Sequence, residues 1–229
     1  MVSLPKAITF DCYGTLIDWE KAIQQFFAES LDSKAIGYVD PRTLQEEWEE
    51  IQFRYIQEQY RPYRQVLHDT MKTVFDKFHI PSDEEEVEEF ADSMGHWQPF
   101  PDTKDAIIEL QKYVKVVLIT NTDNDIIAET ERTIGVKFDD IVTAEQAGAY
   151  KPSHKGFLLA RERLGLKVSQ IWHAGFGFKY DIVPAKKLGY TTVWVNRQAQ
   201  ARPGRVKETF LVGDMRTLAY LIKGIAASA

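Results

Sequence analysis

Five short, largely apolar runs separated by helical stretches constrain the second half of this chain more than any other feature. They are Val114–Thr120, Asp140–Thr143, Gln170–Ala174, Thr191–Val195 and, more weakly, Phe210–Val212. Between them, helical patterns cover Thr103–Lys112, Asn124–Ile134, His154–Leu164 and Ile182–Leu188. Strands of this kind cannot leave a face in water, so the pattern predicts a parallel sheet covered by helices on both faces. One further run, Ala7–Phe10, stands alone near the start and stops at an acid, Asp11, before a turn supplied by Gly14 and Thr15. Ligands of open α/β sheets sit outside the carboxyl ends of the strands, so Asp11 is placed for chemistry. The ordinary alternative for an acid in this position is to cap a turn or helix.

Between the first strand and the rest, from Trp19 to about Gln98, the periodicity is helical. Ile23, Phe26, Phe27 and Leu31 form one apolar stripe; Leu44, Trp48, Ile51, Tyr55 and Ile56 form a second. Val66, Met71, Val74, Phe75 and Phe78 predict a third helix, and Val87, Phe90, Ala91 and Met94 a fourth. Such stripes signify helix packing, and a helical block inserted after the first strand would lie over the site. The acidic run after Pro81 reads as a solvated helix start, with Ser82 and Glu85 as a capping box.

A chain of 229 residues, 44% hydrophobic, can bury a sizeable core. No stretch of about 18 uncharged apolar residues exists to span a membrane. The apolar stretch before Asp11 is too short for a secretion signal, so a cytoplasmic location is expected. Cys12 is the single cysteine, which excludes an internal disulfide and a cysteine metal cluster. The net charge of −6 gives no long-range attraction for nucleic acid or for anions, so an anionic ligand must be caught by local cations. The five histidines are too scattered to read as a metal cluster; only His173, at a strand end, falls near the proposed site.

The heptad Phe10-Asp11-Cys12-Tyr13-Gly14-Thr15-Leu16 resembles motif I of the haloacid dehalogenase superfamily, in which the first Asp is the nucleophile. The superfamily's phosphatases carry a second Asp where this chain has Tyr13, and a phenol is a poor proton donor at neutral pH. The form found here is similar to the 2-haloacid dehalogenase branch. Thr120-Asn121 resembles motif II, and Lys151 in Gly148–Pro152 resembles the motif III lysine that pairs with the nucleophile. In the place of motif IV, Phe176 stands where phosphatases put the first Mg²⁺-binding acid, while Asp181 matches the second. The resemblance implies an α/β fold: a Rossmann-like parallel-sheet core over residues 1–18 and 99–229, with an inserted helical cap over 19–98.

Two positions depart from the dehalogenases. Their motif IV Ser and Asn are replaced by Phe176 and Phe178, and the cap-helix Arg that receives halide aligns with Glu49. Arg54, Arg61 or Arg64 could substitute after a small shift. A carboxylate repels halide and attracts an ammonium, which brings in the related hydrolases that open azetidine-2-carboxylate. The expectation is therefore a metal-independent hydrolase without a cofactor, acting at C2 of a small 2-substituted carboxylic acid through an aspartyl ester. A (S)-2-haloacid dehalogenase is the leading form; azetidine-2-carboxylate ring opening, a Mg²⁺ phosphatase and a silent carboxylate binder are alternatives. Asp11, Lys151 and Asp181 would carry the catalysis. Thr15, Thr120 and Asn121 would hold the substrate carboxylate, Tyr13, Trp19, Phe176 and Phe178 would exclude water, and Glu49 would meet the leaving group. Neither nucleic acid nor membrane is an expected partner, and the apolar cap helices leave a homodimer open.

Overall fold

A computed structural model describes residues 3–228. Six strands form one parallel sheet: β1 (Ala7–Phe10), β2 (Lys115–Thr120), β3 (Asp140–Thr143), β4 (Ile171–Gly175), β5 (Thr191–Val195) and β6 (Phe210–Val212), in the order β3-β2-β1-β4-β5-β6. β1 is central and buried throughout, as its unbroken Ala-Ile-Thr-Phe run requires. The chain leaves β1 on one side for β2 and β3 and on the other for β4 to β6. This change of direction opens a crevice at the carboxyl end of β1, and Asp11 stands in it.

Four helices follow β1: α1 (Trp19–Ser33), α2 (Pro41–Glu58), α3 (Tyr63–Lys77) and α4 (Glu84–Ser93). Their stripes converge on an aromatic cluster, with Phe90 stacked on Phe27 at 5.5 Å and edge-on to Trp48 at 5.7 Å. This cluster is continuous with the apolar face of the sheet that carries Ile8 and Phe10. The expected capping box of Ser82 and Glu85 does not form. Asp83, not Ser82, caps α4, accepting from the Glu86 amide at 2.9 Å. α3 begins after Pro62 without a cap of its own; Asp123, from the loop after β2, accepts from the amides of Tyr63 and Arg64 at 2.8 and 2.9 Å.

The chain crosses from the sheet to the helical layer and back along two adjacent segments. Ile17 bridges Pro99, the Asp18 amide donates to Gln98, and the Phe100 amide donates to Leu16.

The remaining helices are α5 (Thr103–Leu110), α6 (Asn124–Ile134), α7 (Ala144–Ala147), α8 (Lys155–Leu164), α9 (Val183–Lys187) and α10 (Met215–Ala227). α5 and α10 cover one face of the sheet, while Phe157 and Ala160 of α8 and Ala185 of α9 pack on the other. Three local differences from the sequence expectation stand out. The helix expected to begin at Ile182 is preceded by a π-helical turn, Phe178–Ile182, which carries Asp181. The helix beginning at Thr103 stops at Leu110, short of Lys112. α10 lies beyond the last expected element, capped by Asp214 through the Thr217 amide.

Candidate active site

The carboxyl ends of β1, β2 and β4 and the inner side of the helical layer enclose a cavity of about 290 Å³. Asp11 reaches it because β1 ends there and the chain must turn at once. Gly14 makes that turn at φ +96, and a Cβ on it would lie 2.7 Å from the Phe176 ring. Both conditions demand glycine.

Asp11 is held at both oxygens. Lys151 Nζ donates to Oδ1 at 2.7 Å, and Thr15 Oγ1 donates to Oδ2 at 2.7 Å. Lys151 also donates to Asp181 Oδ1 at 2.7 Å, so one buried ammonium bridges two buried carboxylates. The two acids are not equivalent. Burial and the charge of Asp181 push Asp11 above the usual carboxylate range, against the pull of Lys151 and Thr15. Burial also opposes ionisation of Asp181, but the Lys151 charge and a hydrogen bond from His173 prevail and hold it below that range. The opposed carboxylates likewise hold Lys151 protonated despite its burial. The arrangement provides an ionised second acid, a fixed cation and a more basic first carboxylate, which suits the latter to nucleophilic attack.

Of the residues singled out from sequence, Asp11, Tyr13, Trp19, Glu49, Asn121, Lys151, Phe176, Phe178 and Asp181 line the cavity. Thr15 stands behind Asp11; its hydroxyl donates to Asp11 and accepts from the Phe176 amide at 2.8 Å, so it orients the carboxylate and has no donor left for a ligand. Asn121 is committed in part. Its Oδ1 accepts from the Lys151 amide at 2.7 Å and its Nδ2 donates to the Lys151 carbonyl at 3.2 Å, which fixes the lysine in place. Thr120 does not line the cavity, and its buried hydroxyl finds no described partner. Thr15 and Thr120 are therefore not placed to hold a substrate carboxylate, whereas Asn121 keeps its second side-chain N–H on the wall of the cavity.

Tyr13 turns its hydroxyl away to Thr130 at 2.8 Å, and burial raises its pKa well above the ordinary phenol value, so it supplies wall rather than acid. Phe178 packs edge-on to Trp194 at 5.0 Å. None of the three candidate arginines reaches the cavity: Arg54 donates to the Glu50 carbonyl, Arg61 lies over the Tyr55 ring and Arg64 pairs with Asp125.

Glu49 does line the wall. Burial raises its pKa, opposed by the charge of Lys179. Lys179 itself lies 3.7 Å from the centre of the Phe53 ring. Sequence reasoning missed Lys179 as well as Trp97, Gln52, Gln200 and Pro203 on the wall. No local pattern marks these residues, because folding alone brings them to the strand edge.

A family model described as haloacid dehalogenase-like hydrolase matches residues 5–189. An (S)-2-haloacid dehalogenase of Pseudomonas putida is 24% identical over 196 residues, covering 84% of this chain and 85% of that protein. A glyceraldehyde 3-phosphate phosphatase of Methanocaldococcus jannaschii is 36% identical over 100 residues, covering 42% of this chain and 43% of that protein. The crystal structure of the L-2-haloacid dehalogenase of Xanthobacter autotrophicus with chloropropionic acid covalently bound superposes with a TM-score of 0.81, at 19% identity, over 96% of this chain and 99% of that one.

Proposed function

The chain belongs to the haloacid dehalogenase-like hydrolases, and from that premise we propose that it displaces the C2 substituent of a small 2-substituted carboxylic acid through an ester on Asp11, with a (S)-2-haloacid as the leading substrate. The observation that carries the reading is the Asp11–Lys151–Asp181 bridge, with 2.7 Å contacts on both sides of the ammonium. An Asp11 oxygen forms a bond to C2 from the face opposite the substituent, which leaves with the bonding electrons and inverts the carbon. The negative charge on Asp11 is lost in the ester, and Lys151 then faces Asp181 and the oxyanion that develops in the second step. Water attacks the Asp11 carbonyl carbon, Asp181 takes its proton, the acyl C–O bond breaks and the product alkoxide recovers the proton. Splitting one difficult displacement into two steps is the gain from covalent catalysis. With the Thr15 hydroxyl and the amides of Gly14 to Ile17 bonded within the turn, the substrate carboxylate falls to the amides of Cys12 and Tyr13 and to the second side-chain N–H of Asn121. The helical layer acts as a cap, its Trp19, Trp48 and Trp97 helping to close the cavity to bulk water.

The donor set suits this route better than Mg²⁺ chemistry. An ammonium occupies the space between the two acids, and Phe176 stands where the resemblance puts a third oxygen ligand. A second reading rests on Glu49. A carboxylate on a wall without arginine favours an ammonium leaving group, as in the C–N ring opening of azetidine-2-carboxylate.

Both readings are tested by a single turnover in ¹⁸O-water without added metal, with (S)-2-chloropropionate and L-azetidine-2-carboxylate in parallel. The expected result is one label in the peptide containing Asp11, with whichever substrate reacts, and no product from Asp11→Asn. Product without label in that peptide would overturn the ester mechanism. Turnover only of a phosphoester with Mg²⁺ would overturn the substrate class.

A further inference from the structure

His173 lies directly behind Asp181, fully buried on β4 and outside the cavity wall. Both of its ring nitrogens are engaged. Nε2 is 3.2 Å from Asp181 Oδ1, and Nδ1 is 2.9 Å from Thr9 Oγ1. The strand register sets Thr9 on one side of His173 and Thr192 on the other. Thr192 Oγ1 accepts from the Thr209 amide, and Phe157 of α8 meets the imidazole ring at 4.9 Å in an edge arrangement. The charged groups that face His173 are thus Asp181 and, through it, Lys151.

Nε2 points at a carboxylate oxygen, so this nitrogen must carry hydrogen. In the neutral ring Nδ1 then accepts from the Thr9 hydroxyl. In the imidazolium Nδ1 donates to Thr9, whose own proton turns to the Trp172 carbonyl at 3.2 Å. Neither state requires a heavy atom to move, and the donor to Oδ1 is the same in both. Oδ1 therefore receives two donors, Lys151 and His173. Oδ2 packs against Gly175 and Gly177, where an added Cβ would come within 2.9 and 2.8 Å of it. Only glycine at those positions leaves this oxygen room.

We propose that His173 is a positioning residue for Asp181: with Lys151 it saturates Oδ1 and reserves Oδ2 for the proton of the water that hydrolyses the Asp11 ester. The inference rests on the proposed ester mechanism. The water proton goes to Oδ2 as the water oxygen bonds to the Asp11 carbonyl carbon, then passes to the departing alkoxide as the acyl C–O bond breaks; His173 keeps its Nε2 proton throughout. Burial opposes ionisation of Asp181, and the hydrogen bond from His173 adds to the larger effect of the Lys151 charge in holding it ionised.

The test compares wild type, His173→Phe and His173→Gln with (S)-2-chloropropionate. Loss of a hydrogen bond to a charged group is expected to slow ester hydrolysis about tenfold or more. In His173→Phe, intact mass should show the Asp11 ester accumulating in the steady state, and the acid limb of kcat should move to higher pH. His173→Gln, whose side-chain N–H can reach Oδ1, should reverse both effects in part. A packing defect alone would slow both steps without accumulating ester, and that result, or an unmoved acid limb, overturns the proposal. A substrate-free measurement separates this inference from the mechanism it rests on. Side-chain ¹H–¹⁵N spectra of the wild type should show His173 Nε2 protonated through neutral pH, and an unprotonated Nε2 overturns the proposal whether or not the substrate is turned over.

Discussion

At the scale of single residues, two acids share one cation and are driven apart in basicity. In the proposed mechanism Asp11 must be ionised to attack, and its pKa is raised, so ester formation should fail on acidification at a higher pH than an isolated aspartate, at about 3.9, would require. Thr15 opposes the rise by donating to the ionised form. Thr15→Val should therefore move the acid limb of single-turnover ester formation further up and slow the step about tenfold, measured as adduct growth by mass spectrometry across pH. An unmoved limb would show that Thr15 does not act on the charge of Asp11. The juxtaposition of Asp11 and Lys151 was legible because each sits in a motif whose residue types are unusual together, whereas Asp181 was picked out only as the one match in a stretch where Phe176 and Phe178 depart from the pattern. The roles of Thr15 and Asn121 were not legible, because their partners are a main-chain amide 161 residues away and the backbone of Lys151, 30 residues away. A hydroxyl or an amide at a strand end suits a ligand and a neighbouring backbone equally well, and only the fold decides between them.

At the scale of elements, the helical layer depends on polar contacts inside an apolar cluster. Trp48 Nε1 on α2 donates to Thr70 Oγ1 on α3 at 3.0 Å, and both residues are buried. Thr70→Val keeps the volume but leaves the indole N–H without its acceptor. The expected loss is about 1–3 kcal/mol, read as a lower denaturation midpoint, whereas Thr70→Ser, which keeps the acceptor hydroxyl, should retain most of the wild-type stability. The four helices of this layer were legible from spacing because each buries a single stripe. α10 also carried a signal, since Met215, Leu218, Ala219 and Ile222 recur at helical spacing behind the Asp214 cap. The π-helical turn at Phe178–Ile182 had none. It depends on the Val183 amide reaching back five residues to the Phe178 carbonyl, and no residue type announces that geometry.

At the scale of the whole molecule, the sheet and the helical layer meet through a few specific contacts as well as through apolar packing. Asp123 serves as the cap that α3 lacks, and the Tyr150 hydroxyl donates to the Arg61 carbonyl at 2.5 Å. Removing a helix cap costs about 0.5–2 kcal/mol. Asp123→Ala should lower stability by a comparable amount, read as a lower thermal midpoint, and speed amide exchange selectively at Tyr63 and Arg64. Uniform acceleration across the chain would show that Asp123 acts on global stability rather than on this junction. The side-by-side crossings at Ile17 and Pro99 reach further. To the sheet, the whole run between them is topologically a hairpin: its ends are neighbours whatever length of chain intervenes, and closure entropy climbs only slowly with that length. The sheet therefore loses little if those helices are lengthened, shortened or exchanged. Selection is free to rewrite the helical wall of the cavity while the strand edge that carries Asp11, Lys151 and Asp181 stays as it is.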